Sequence, residues 1–169
     1  MDSTFYAYIG YIALSFIPPL IWLLFYLHED RHPEPKHLLL ITFVGGIMGA
    51  LAAVALEVGA FGKPPLFSGL FYNLYPALLQ VPAVILAGVA LIEEYLKYLT
   101  VKVAALSHPD FNEPIDAMIY MITAALGFAA IENLIFLAPF FDEHGPFYGL
   151  LDGLELTTTR FIGANLLHV

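Results

Sequence analysis

The sequence contains no cysteine, which excludes disulfide bonds, thiolate metal ligands and a cysteine nucleophile. Basic residues are also scarce, since the 169 residues include only 6 lysines and arginines and the net charge is −9. Proteins that bind nucleic acid present a basic surface, so this composition argues against a nucleic-acid partner. The glycine-rich loop of nucleotide-binding proteins and the G-x-S-x-G turn of serine hydrolases are absent as well.

Apolar residues, by contrast, make up 60% of the chain, and charged residues make up only 12%. Soluble domains contain roughly 45–50% apolar and 25% charged residues. An apolar excess of this size is most simply buried in a membrane, which a helix crosses with about 20 mainly apolar residues. The sequence therefore predicts an all-α, polytopic transmembrane helical bundle that forms a single integral membrane domain over residues 1–169. Its five predicted spans are residues 4–27, 38–61, 80–106, 114–141 and 154–169.

Three of the predicted spans have features of their own. Pro18 and Pro19 interrupt the first and are expected to kink it, because proline removes a backbone donor and clashes with the preceding turn. Gly45 and Gly49 form a G-x-x-x-G pattern in the second, which permits close contact with another helix. The fifth reaches Val169 before it completes a crossing, so we expect further chain after it.

A set of charged and polar side chains nevertheless falls inside the predicted spans. One charged side chain at the centre of a bilayer costs roughly 2.5–3.5 kcal/mol. Six of them facing lipid would cost on the order of 15 kcal/mol, which equals or exceeds the folding free energy of a typical domain. We therefore expect these side chains to face one another or a water-filled cavity. They are Glu93, Glu94, Lys97, Asp116, Glu132 and Arg160, with Asn133 and His168 as polar neighbours.

The spacing of these residues supports a shared site. Lys97 is four residues after Glu93 and three after Glu94, so it can reach either carboxylate on one helix face. Arg160 and His168 are eight residues apart and are expected to flank a common groove. The simpler interpretation is a set of ion pairs that fixes the register of the helices. For Lys97 and Arg160 taken singly, the pattern favours that structural role, with Arg160 pairing with Asp116 or Glu132.

Four parts of the sequence resemble the PrsW family of intramembrane proteases, which belongs with the CAAX prenyl protease and bacteriocin-processing membrane proteases. These parts are "DRHPEP" (residues 30–35), "EEYLK" (93–97), "DAMIYMITAALGFAAIEN" (116–133), and Arg160 with His168. The resemblance implies an endopeptidase of the prokaryotic cell membrane that hydrolyses a peptide bond within or beside the bilayer. It also implies a membrane-anchored protein substrate, with an anti-sigma factor as the family's example.

The chain departs from the wider group in two positions that bear on mechanism. Glu132 stands where the wider group's F-x-x-x-H motif has its histidine, and Lys97 stands one residue before the position of the arginine in E-E-x-x-x-R. A further carboxylate in place of a histidine changes both the charge and the metal affinity expected of the site.

Two mechanisms use the same residues. In a glutamic protease, Glu93 activates a water as general base, Glu94 is its neighbouring carboxylate, and Lys97 keeps one of them ionised. Glu132 then helps to hold the water, and His168 with Asn133 faces the oxyanion. In a metalloprotease, Glu93 or Glu94, Glu132 and His168 are ligands of one divalent ion, with zinc the best match.

Two further classes of protein could use a buried polar cluster of this kind. A proton-coupled transporter passes protons along acidic and histidine side chains inside the membrane. The chain shows no inverted repeat of the sort that many transporters have, which argues against this class. A non-catalytic membrane scaffold would use the same cluster only to join its helices.

Overall fold

A computed structural model describes residues 3–29, 33–61, 81–163 and residue 168. None of the described residues forms a strand, so the prediction of an all-α fold is confirmed. The described helices are α1 (Ser3–Glu29), α2 (Lys36–Phe61), α3 (Pro82–Ala104) and α4 (Pro114–Ile162). Residue 80, the predicted start of the third span, and most of the predicted fifth span after residue 163 lie outside the described residues.

Helix α4 contains both the fourth and the start of the fifth predicted span. The sequence predicts a loop between residues 141 and 154, whereas the backbone there is helical. Arg160 Nε nevertheless donates a hydrogen bond to Asn133 Oδ1, 27 residues earlier, over 2.7 Å. In a straight helix those residues would be about 40 Å apart. The chain therefore reverses direction within α4, and it has done so by Gly153, which lies beside the side chain of Leu137.

This reversal divides α4 into two arms that pack against each other. The first arm comprises residues 114–137, and the second arm comprises residues 153–162. Helix α1 contacts both: Tyr11 Oη donates to the carbonyl of Leu134 over 2.9 Å, and Trp22 Nε1 donates to the carbonyl of Phe161 over 2.8 Å. The two arms therefore run in opposite directions, although the chain between them is helical.

Three described helical segments are long and apolar enough to cross a membrane: Phe5–Glu29, Lys36–Phe61 and Pro114–Pro139. Helix α3 is also long enough, with 23 residues, but it carries Glu93, Glu94, Lys97 and Lys102. These charges are what separates it from the other three segments by composition, and at least one is shielded from lipid by protein. Lys97 is only 1% exposed.

Glycines allow α2 to pack closely against its two neighbours. Gly46 lies against the backbone carbonyl of Ala124 and Gly127 against that of Phe43, so a Cβ atom at either glycine would overlap the opposing helix. Helix α2 and the first arm of α4 are therefore in backbone contact there. The G-x-x-x-G pair faces the other way, toward α3, where Thr100 Oγ1 donates to the carbonyl of Gly45 over 3.3 Å.

Candidate active site

Three of the predicted site residues converge from separate parts of the fold. Glu93 comes from the middle of α3, Glu132 from the first arm of α4, and His168 from beyond the second arm. One nitrogen or oxygen atom of each lies within 4.8 Å of those of the other two, and all three residues are largely buried. The closest pair is His168 Nε2 and Glu132 Oε2, at 2.6 Å. We call these three residues the central trio.

Lys97 lies beside the central trio and is almost fully buried. Its Nζ donates to Glu94 Oε1 over 2.6 Å and lies 3.1 Å from His168 Nδ1. The ammonium group also lies 5.0 Å from the centre of the Phe128 ring, which is a favourable cation–π distance. Lys97 therefore links the adjacent Glu94 to the imidazole of the central trio.

Glu94, the second glutamate of "EEYLK", is not brought into the central trio. Its side chain is 62% exposed, and its described partner is Lys97. Consecutive residues of a helix point about 100° apart, so only one of two adjacent glutamates can face the same cavity. In the structure, Glu93 faces Glu132 and His168, and Glu94 points away from them.

Arg160 is a cation that lies beside Glu132. Its Nη2 lies 3.5 Å from Glu132 Oε2, and both side chains are more than four-fifths buried. Its Nε donates to Asn133 Oδ1, and Asn133 Nδ2 in turn donates to the carbonyl of Ser15 over 3.3 Å. Of the two partners that the sequence suggested for Arg160, the structure brings it to Glu132.

Asp116 lies far from the central trio. It is 16 residues before Glu132 on the same helical arm, a separation of about 24 Å at 1.5 Å per residue. Its Oδ2 accepts hydrogen bonds from the backbone N–H groups of Asn112 and Glu113, at 2.8 and 2.9 Å, in a capping box at the start of α4. Helix capping therefore accounts for the burial of Asp116.

Glu57 is a carboxylate near the trio that the sequence interpretation did not include. It lies in the last turns of α2, and its carboxyl group is close enough to those of Glu93 and Glu132 for mutual repulsion. Its Oε1 is buried and has no hydrogen-bond partner among the described residues. The signal was present in the sequence, because Glu57 is a charged residue inside the predicted second span.

The central trio fits a divalent metal ion in its donor chemistry. Two carboxylates and one imidazole are the oxygen and nitrogen ligands found in catalytic zinc sites, which use three protein ligands and keep one position open. The three donor atoms lie close enough together to reach one ion after small side-chain movements. The short contact between His168 and Glu132 is a direct hydrogen bond in the described conformation.

The chain has relatives among known proteins. Residues 34–169 match the model of a family described as "PrsW family intramembrane metalloprotease". The chain belongs to the PrsW family. The matched region contains all members of the central trio, together with Lys97 and Arg160.

Several curated relatives carry the name Protease PrsW. The chain is 32% identical to the protein of Clostridioides difficile (strain 630) over 126 residues, which are 73% of this chain and 49% of the relative. It is 28% identical to that of Bacillus subtilis (strain 168) over 120 residues, 71% of this chain and 50% of the relative. It is 27% identical to that of Geobacillus kaustophilus (strain HTA426) over 113 residues, which are 67% of this chain and 45% of the relative.

The chain thus spans about half the length of the curated PrsW relatives it matches. No solved structure matches it. Membership of the PrsW family confirms the resemblance noted in the sequence, and the three membrane-length helices identify an integral membrane protein.

Proposed function

We propose that this chain forms the catalytic part of an intramembrane endopeptidase of the bacterial cell membrane. The observation that carries the proposal is the convergence of Glu93, Glu132 and His168 at one largely buried position in a chain of the PrsW family. The substrate class is a membrane-anchored protein, because the site lies among helices long enough to cross a bilayer. An anti-sigma factor is the candidate that the family resemblance suggests.

Glu93 is the carboxylate best placed to activate a water. Glu132 is held by His168 and Arg160, whereas no described cation lies within ion-pair distance of Glu93. The Glu93 carboxylate is therefore available to take a proton from a water whose oxygen attacks the scissile carbonyl carbon. Within the site, Glu132 then orients His168, and Asn133 is a positioning residue that holds Arg160.

His168 supplies a donor to the other side of the reaction. As an ammonium, Lys97 can only donate, so His168 Nδ1 accepts, and the single proton of a neutral ring is on Nε2. That N–H points toward Glu132 in the described conformation. It can stabilise the oxyanion by hydrogen bonding after a small rotation, and the proton that Glu93 took from the water can then pass to the leaving amine. In this route the carboxylates and the imidazole act through proton transfer and hydrogen bonding.

A metal-dependent route is the second candidate, favoured by the donor set and by the description of the matching family model. Glu93, Glu132 and His168 would hold the ion, with zinc the best match. When bound, such an ion would polarise the scissile carbonyl and activate a water. His168 would then need Nε2 free of its proton, which requires a rearrangement of its contact with Lys97.

One assay tests the proposed function. The detergent-solubilised protein is incubated with a tagged single-span substrate, and product is measured for the wild type, Glu93→Gln and His168→Ala. We expect cleavage by the wild type and a loss of at least about 10²-fold in both variants, as for removal of a catalytic acid or base. Wild-type rates in both variants would refute the assignment.

Two additions separate the remaining alternatives. Exhaustive chelation leaves the metal-free route active and abolishes the metal-dependent one, and re-addition of zinc restores only the latter. A proton-coupled transporter would instead move solute into liposomes without a product band. A membrane scaffold would do neither.

A further inference from the structure

Glu57 is placed at the level of Glu93 by the packing of α2 against α3. Phe61, one turn after Glu57, has its ring against Gly88 of α3. Ala53, one turn before Glu57, packs in a cluster that includes Ile92 and Leu96. The two helices run antiparallel there, so the turn of α2 that carries Glu57 lies opposite the roughly two turns of α3 between Gly88 and Leu96. Glu93 is in that stretch.

Among the described residues, no cation is free to pair with Glu57. Lys97 is engaged by Glu94 and His168, and Arg160 by Glu132 and Asn133. The buried Oε1 of Glu57 has no donor among the described residues, although an orphaned acceptor of this kind costs about 1–3 kcal/mol. A carboxylate that repels Glu93 and Glu132 and whose buried oxygen lacks a donor in the described part of the chain does not stabilise the fold.

We propose that Glu57 is a fourth residue of the active site, and that its buried Oε1 accepts a hydrogen bond from the water that attacks the scissile carbonyl. The proposal rests on the proposed function and deepens it. A water has two hydrogens, of which one is transferred to Glu93 and the other is bound by Glu57 from the facing helix. With both hydrogens held by carboxylates, an oxygen lone pair points at the carbonyl carbon, which is the orientation that attack requires.

The test compares Glu57→Leu, Glu57→Gln and a control, Glu155→Gln, in the full chain. Glu155 is an exposed glutamate of the second arm and lies outside the site. The cleavage assay with the tagged single-span substrate gives kcat and KM, and thermal unfolding in detergent gives Tm. We expect Glu57→Leu to lower kcat by about 10²-fold with KM within twofold, because the water loses its orientation. Glutamine keeps one acceptor oxygen, so Glu57→Gln should lose less.

The thermal measurement separates this role from a structural one without using activity. Removing a charge that repels Glu93 and Glu132 should leave Tm unchanged or raise it by a few degrees. A Glu57→Leu variant that cleaves at the wild-type rate overturns the inference, as does a Tm lowered in both Glu57 variants in step with kcat. Failure of the proposed function has a different signature, because the wild type itself then yields no product.

Discussion

Replacing Lys97 with methionine tests whether the buried lysine orients the catalytic histidine. The side chain is 1% exposed, and among the described residues its ammonium group contacts Glu94, His168 Nδ1 and the ring of Phe128. Methionine has a similar length and keeps the packing against Phe128, because a thioether also makes favourable contacts with aromatic rings. Only the charge and the two hydrogen bonds are removed.

The two lost hydrogen bonds differ in consequence. Glu94 is 62% exposed, so its pair with Lys97 is screened by solvent and contributes about 0–1 kcal/mol. The bond to His168 Nδ1 is buried and charge-assisted, a class of contact that contributes about 1.5–3 kcal/mol. If that energy holds the ring and its proton in the reactive arrangement, its loss lowers kcat by about 10- to 10²-fold.

The substitution should leave the thermal stability unchanged or raise it slightly, although it lowers kcat. Lys97→Met removes a buried charge and leaves Glu94 free to be solvated, so we expect a Tm within a few degrees of the wild type. The assay is the steady-state cleavage of the tagged substrate, with Tm measured on the same preparations. Wild-type kcat in Lys97→Met at an unchanged Tm would show that Lys97 has only a packing role and does not orient His168.

Other substitutions give contrasting outcomes. Glu94→Gln should leave kcat within about twofold, because Glu94 points away from the central trio; a loss of 10²-fold in the cleavage assay would place it in the site. Asp116→Ala should lower the unfolding free energy by about 0.5–1.5 kcal/mol for each of the two backbone hydrogen bonds that Asp116 accepts, seen as a lower Tm, with the kcat of folded protein unchanged. Gly127→Ala should cost about 1–3 kcal/mol, because the new methyl group overlaps the carbonyl of Phe43; a Tm equal to that of the wild type would contradict the close helix contact.

The adjacent glutamates show what a sequence pattern can and cannot predict. A charged residue in an apolar segment is costly wherever the segment packs, so its need for partners is predictable from sequence alone. Which glutamate faces the cavity depends on the rotation of α3, and that rotation is set by the packing of Gly45 and Gly49 against Thr100. The sequence predicted both as site residues, whereas the structure brings only Glu93 to the central trio.

Asp116 and Glu57 illustrate the same limit from opposite sides. Asp116 shares a helix with Glu132, but about 24 Å of helical rise separates them, so its burial reflects capping. Glu57 is distant in sequence from every motif and reaches the site only because α2 and α3 are antiparallel at a fixed register. Residue pattern and spacing predict which side chains share a face of one helix, but they do not predict the register between two helices.

By itself, the sequence determined that the protein is helical, that it belongs in a membrane, and that its buried charges must be partnered. Each of these follows from composition and local spacing, which act residue by residue. Only the tertiary structure decided that α4 reverses on itself, so that Arg160 returns to Glu132 and His168 comes within reach of Glu93. Contacts across tens of residues depend on how whole helices pack, and side-chain volume and glycine contacts set that packing cooperatively.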